Sequence, residues 1–386
     1  MDTLLYFNYV NIEQLNISQV TKKNKYSLYH IDKNLETKPI KEIEQYSIAI
    51  IGVPEERNTD NKGTGLAPDI IREKLYQLNK PQSSHIVDLG NLKAGKSLND
   101  TYIALADIVS QLISISVIPL IIGGSQDLTY GNFLAYKKIN NQVNLVSIDS
   151  RFDIGYLTDD FDASSYLSRI ILQSSENLFN YTNIGYQAYY INVEETNLMT
   201  KLNFDSYRLG MVRANIKESE PVLRDADIVS IDISAVKQAE APAFNNPSAN
   251  GFYGEEICQL SRYAGLSDRL TSFGLYNVNP KFDVNDQTVN LCAQIIWYFI
   301  DGVTNRQKDY PQVNLKNYTK FIVNFDDKEQ NIVFYRNANN NRWWMEVPSY
   351  DKKNPVKIIA CSHEDYKLAC KQKLPERWLR NIQKLR

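Results

Sequence analysis

Three short stretches place polar and acidic side chains directly after an apolar run. IIGGSQDLTYG (Ile121 to Gly131) carries Gln126 and Asp127. VSIDSRFD carries Asp149, Arg151 and Asp153, and IVSIDISAVK carries Asp232, Ser234 and Lys237. Carboxylates brought together can hold a hard divalent cation or move protons. They can equally be ordinary loop and helix-cap acids, and the residues alone leave both readings open. Clustered aspartates cannot all stay ionised in a half-buried pocket without counter-charge. Arg151 and Lys237 stand beside them in sequence, so ion pairs within the cluster are the expectation here, with Arg151 gripping a carboxylate bidentately. The three histidines are His30, His85 and His363, so the region between residues 86 and 362 offers no imidazole as ligand or base. Gln126 is a neutral amide and a weaker metal ligand than a carboxylate or imidazole. Asp127 precedes an apolar helical pattern and reads as its N-cap. The Gly123-Gly124 pair reads as backbone geometry, because no complete phosphate-loop pattern accompanies it.

The flanking patterns say what positions these residues. SIAIIGV (Ser47 to Val53) is a continuous apolar run, as a strand covered on both faces requires, and HIVDLG (His85 to Gly90), VIPLIIGG, VNLVSID (Val143 to Asp149), DIVSIDIS (Asp227 to Ser234) and RLTSFGLYNV (Arg269 to Val278) read as further strands. Helical patterns separate them, among them Asn99 to Ser116, Leu128 to Ile139 and Val284 to Ile300. NIGYQ and RLGMV (Arg208 to Val212) continue the rhythm. Repeated βα units imply a three-layer α/β/α fold around a mainly parallel sheet. In such a sheet the carboxyl ends of the strands lie along one edge, so Asp149, Asp153 and Asp232 should come close together.

The order and spacing of five segments resemble the ureohydrolases, the family of arginase, agmatinase and formimidoylglutamase. These are IGVPEERNTDNKGTGLAPDIIREKL, IIGGSQDLTYG, SIDSRFDIG, SIDISAVKQAEAP and LYNVNPKFDVNDQTVNLCAQII. The resemblance implies a sheet of about eight strands. It also implies a site where two histidines and four aspartates hold two manganese ions, with a bridging hydroxide that attacks a guanidine-type carbon. On that pattern Gln126 and Arg151 stand at the histidine positions. Ser125 stands where the family has an aspartate, Ser234 at a ligand aspartate, Lys237 at the aspartate three further on, and Asn277 at a glutamate. Asp149, Asp153 and Asp232 are the three ligands that remain.

The 386 residues carry a formal net charge of −2, which argues against nucleic acid as a partner of the whole chain. From residue 311 onward there are 15 basic and 8 acidic residues, so the tail differs in kind from the body. The expected division is an N-terminal extension over 1–46, an α/β domain over 47–310 and a basic appendage over 311–386. In the appendage KFIVNFDDKEQNIVFYR and NANNNRWWMEVP read as a small hairpin with turns, and EDYKLACKQKLPERWLRNIQKL as helix reopened at Pro375. Trp343 and Trp344 beside Arg342 either pack that hairpin or stack on a partner. Four cysteines without a CxxC pair read as reduced thiols. The opening MDTLLYFNYVNIEQ lacks a basic n-region and no run of 18 apolar residues exists, so a cytoplasmic protein with no membrane contact is expected. Three functional readings follow. One is a non-catalytic ureohydrolase relative with a binding, assembly or regulatory role and no cofactor. Another is a divergent hydrolase of formimino, guanidino or amide C–N bonds around a single Mn²⁺, Mg²⁺ or Ca²⁺. The third is an interaction module acting through the tail on a protein partner. A homo-oligomer is expected in each case.

Overall fold

In the computed structural model the described residues are 6–33, 40–155, 162–311, 316–325, 331–350 and 355–385. The strands are β1 (Phe7–Asn8), β2 (Asp32–Lys33), β3 (Ile48–Val53), β4 (Ile86–Leu92), β5 (Ile118–Gly123), β6 (Val143–Ile148) and β7 (Leu178–Tyr186). They continue as β8 (Asp205–Arg208), β9 (Ile228–Asp232), β10 (Ser272–Tyr276), β11 (Tyr318–Asn324), β12 (Asn331–Asn337), β13 (Trp343–Pro348) and β14 (Val356–Cys361). The first ten form one sheet in the order β1-β4-β3-β5-β10-β9-β6-β7-β8, with β2 also on β4. Every pairing in it is parallel except β1 with β4.

Alternation along the buried strands builds two cores. Ile48 and Ile50 of β3 and Leu120 and Ile122 of β5 face one side, where they meet the helices Ala67–Leu75, Gly254–Gly265 and Gln287–Thr304. Ala49, Ile51 and Ile121 face the other, against Leu98–Ser114, Leu128–Lys138 and Tyr166–Ser174. The three-layer reading therefore holds, with ten strands instead of about eight. The two additional strands come from the N-terminal extension, whose two-residue pairings are too short to leave an apolar period. RLGMV is helical from Leu209, and the strand of that unit is the preceding Asp205–Arg208.

The appendage is larger than a hairpin. β11 to β14 form an antiparallel four-stranded sheet, and the helices His363–Cys370 and Glu376–Leu385 cover one face. The polar turn expected within 326–330 lies outside the described residues. Trp343 stacks on Phe321, His363 and Tyr366, while Trp344 lies on the opposite face beneath the Arg224 guanidinium, 4.3 Å away. The appendage docks on the body through its charge. Arg380 and Lys384 reach Asp205 at 2.7 and 2.9 Å, and Arg224 Nη2 donates to the carbonyls of Trp343 and Cys361 at 2.8 and 3.1 Å. Cys258, Cys292 and Cys361 are buried free thiols, and Cys370 is exposed. No helix among the described residues is long and apolar enough to cross a membrane.

Candidate functional site

The turns after β5, β6, β9 and β10 meet at the carboxyl edge of the sheet. Gly124, in the turn after β5, lets the turn after β3 approach it, because a Cβ there would lie 1.9 Å from the Glu55 carbonyl oxygen. Asn277 latches the others. It sits in the left-handed region at φ 65°, a conformation that asparagine tolerates better than most residues. From there its N–H donates to the Gly124 carbonyl at 2.8 Å, and its Nδ2 donates to Asp232 Oδ2 at 2.5 Å. Its Oδ1 accepts from the Gln126 N–H at 3.2 Å. Asp153 also has positive φ, 53°, which turns the chain after β6 back toward the cluster.

Asp149, Asp153 and Asp232 each present a carboxylate oxygen within 4.8 Å of the other two, and all three residues are buried. Asp232 is partly satisfied, since its Oδ1 accepts from the Ser234 N–H at 2.7 Å. Asp149 Oδ1 accepts from the Arg151 N–H at 2.9 Å and the Ser234 hydroxyl at 3.3 Å, while its Oδ2 is buried with no hydrogen-bond partner. Burial first, and then the charges of Asp153 and Asp232, push the Asp149 carboxyl well above its ordinary range. Burial and the Asp232 charge push Asp153 up to about 8. Asp232 is raised by burial as well, against the opposing pull of its bonds to Ser234 and Asn277. Three oxygen donors short of positive charge form a cradle for a hard cation.

The expected internal counter-charges make no ion pair with the cluster, although the Arg151 charge still pulls the Asp153 and Asp232 carboxyls downward against burial. Among the described residues no lysine or arginine nitrogen pairs with any of the three carboxylates within 4.0 Å. Arg151 instead lies with its guanidinium 4.0 Å over the Tyr190 ring, and Lys237 Nζ lies 3.8 Å over Tyr253. Aromatic faces drawn from other segments capture both cations, which corrects the expectation of a site stitched by ion pairs.

A cavity of about 400 Å³ opens over the cluster, and Arg151, Ser234 and Asn277 line it with the three aspartates. Gln126 is fully buried away from that lining. Its Nε2 donates to Ser230 Oγ at 2.9 Å and its Oε1 has no partner. Asp127 stands at the N-cap position of the helix Leu128–Lys138 without a side-chain capping bond. Its carboxylate accepts from the Tyr102 hydroxyl and from Asn58 instead, because the β5 turn aims it into the interior. The reading of Trp343, Trp344 and Arg342 as a partner-binding surface is also corrected. Both indoles are buried, and Arg342 is held by Asp309 at 3.1 Å and Glu220 at 3.2 Å. Three lining segments were missed: the polar run Arg57 to Lys62 after β3, Asp162 to Ser164, and Phe244 with Asn245. The first had an available signal, since it follows a buried strand at the same edge as the other turns.

The family model for the arginase family matches residues 46–301, ending before the appended sheet begins at Tyr318. A formimidoylglutamase of Staphylococcus haemolyticus (strain JCSC1435) is 26% identical over 258 residues, 64% of this chain and 81% of the relative. One from Streptococcus gordonii is 24% identical over 287 residues, 69% of this chain and 87% of that protein. Among solved structures, Trypanosoma cruzi formiminoglutamase with Mn2+2 superposes with a TM-score of 0.63 at 20% identity, covering 68% of this chain and 95% of that one. Formimidoylglutamase from Bacillus subtilis subsp. subtilis str. 168 gives 0.61 at 20% identity, with 68% and 88% covered. The segments that built the carboxyl edge are the segments that match, and the chain belongs to the arginase family.

Proposed function

We propose that this chain binds one oxygen-preferring divalent cation at Asp149, Asp153 and Asp232, and a small polar ligand in the cavity above, without dimanganese hydrolase activity. The supporting observation is the buried Asp149 Oδ2, left without a donor in a cluster with which no described lysine or arginine forms an ion pair. A pair of manganese ions does not fit the donors present, because none of the described lining residues is a histidine and Arg151 adds like charge. A single cation fits. When bound, such an ion polarises a ligand oxygen and acidifies bound water. Three carboxylates against one divalent ion leave a net negative centre, which acidifies water less than neutral imidazole ligands do. Asn277 and Ser234 orient Asp232 and Asp149 for that task.

A second reading is hydrolysis of a formimino, guanidino or amide C–N bond. The open cavity over the cluster and the formimidoylglutamases among the relatives favour it. Calorimetric titration of the chelator-treated chain with Mn²⁺, Mg²⁺ and Ca²⁺ tests the first reading, with one ion per chain expected. Two tightly held Mn²⁺ ions, or turnover of formiminoglutamate, agmatine or arginine that Asp149→Ala abolishes, would replace it with the second.

A further inference from the structure

Three basic residues line the cavity, and two are already committed. Arg57 donates from Nε and Nη2 to the two Glu55 carboxylate oxygens at 2.9 and 2.5 Å, and from Nη1 to the Gly95 and Lys96 carbonyls at 3.1 Å each. Lys62 Nζ donates to the Glu56 and Arg57 carbonyls at 2.8 and 3.2 Å. Arg151 is different. Its backbone is pinned on both sides, the N–H on Asp149 Oδ1 and the carbonyl on Asn183 Nδ2 at 2.6 Å. Its guanidinium rests on the Tyr190 ring and makes no hydrogen bond or ion pair among the described residues. A guanidinium stacked this way keeps its five N–H donors in plane and free at the edge.

The geometry points to Arg151 as the anion-binding residue of this cavity. It takes a carboxylate, or another planar oxyanion, of a small ligand whose other end reaches the Asp149–Asp153–Asp232 centre. The Tyr190 ring holds the guanidinium in place beforehand, so a bidentate contact costs less ordering. Lining charge makes this binding conditional. Once the cluster is ionised, five aspartates against three basic residues leave the empty cavity negative and repel an anion. A divalent cation on the cluster reduces that repulsion, so cation and anion should each tighten the other's binding. The inference rests on the cation reading above and adds the chemical class of the ligand. Arg151 thereby supplies a second positive pole beside the bound ion.

The test titrates succinate into the full-length chain, with and without saturating Mn²⁺, for wild type, Arg151→Gln and Arg151→Lys. Mn²⁺ is titrated alone into each as a control. Succinate should bind the Mn²⁺-loaded wild type and weaken about tenfold or more in Arg151→Gln. Arg151→Lys, which keeps the charge and loses the fork, should fall between them. Mn²⁺ affinity should be retained in both variants. Equal succinate affinity in wild type and Arg151→Gln, or no succinate binding to the Mn²⁺-loaded wild type, overturns the inference while the cation reading stands. Failure of Mn²⁺ to bind wild type overturns the cation reading itself. In that case Arg151-dependent succinate binding to the metal-free chain still supports the anion role, and its absence overturns that too.

Discussion

Arg72 and Asp88 lie fully buried between the helix Ala67–Leu75 and β4, and there the chain answers charge with charge. Arg72 Nε and Nη2 grip the two Asp88 oxygens at 2.9 and 3.1 Å, and the carboxylate also accepts from the Tyr76 hydroxyl at 2.8 Å and the Gly90 N–H at 2.9 Å. The Asp149–Asp153–Asp232 cluster, at the carboxyl edge of the same sheet, has three carboxylates, no ion-paired cation among the described residues and an oxygen without a donor. A buried ion pair persists when its desolvation is met by good geometry and further hydrogen bonds. The first cluster meets that condition from within the chain. The second meets it only with something added, and the open cavity above it gives that addition a route.

Breaking the self-contained cluster should have the largest effect. Asp88→Ala strands a buried guanidinium and should destabilise the protein by about 3–5 kcal/mol, read from the urea midpoint. Asp149→Asn leaves the fold standing but should lower divalent-cation affinity roughly 100-fold by calorimetry, since an amide oxygen replaces a charged ligand. Asp205 is an intermediate case, because its partners Lys384 and Arg380 come from the appendage. Burial alone would raise its carboxyl, but those two cations outweigh it and hold it below the usual range. The stability it contributes is present above the unfolded value of about 4 and is lost as pH falls through the lower folded value. Asp205→Asn should therefore cost about 1–3 kcal/mol at neutral pH, with appendage amides losing exchange protection first.

The smallest effect runs the other way. Asp153 is raised to about 8 by burial and by Asp232, so the folded chain holds a proton that the unfolded chain releases near pH 4. Metal-free stability should fall as pH rises from about 4 toward 8. Asp153→Asn should flatten that slope and stabilise the metal-free chain at pH 8 by about 1–2 kcal/mol in a thermal scan. Added cation should reverse the slope for wild type only.

The buried strands were readable because a strand covered on both faces needs a largely apolar run, and β3 and β5 are such runs. The meeting of Asp149, Asp153 and Asp232 was readable for a related reason. Parallel strands deliver their carboxyl ends to one edge whatever the side chains beyond. The short N-terminal strands left no period to read, and the four-stranded appendage passed for a hairpin because the run that forms β14 is brief and flanked by lysines. The aromatic pair Trp343-Trp344 looked the same whether buried or exposed, until Phe321 and Tyr366 on one face and Arg224 on the other enclosed it.

Local order along the chain thus determined which residues belong to the edge and which residue types are available there, including the lack of an imidazole. Only the tertiary structure decided where each charge points. Arg151 and Lys237 are close to the aspartates in sequence, yet Tyr190 and Tyr253 take them. Asn277 becomes the latch of the site through a left-handed turn that brings it to Asp232. Side-chain direction depends on neighbours from distant segments, and over a few ångströms in a low-dielectric interior that direction separates an ion pair from an open cation site.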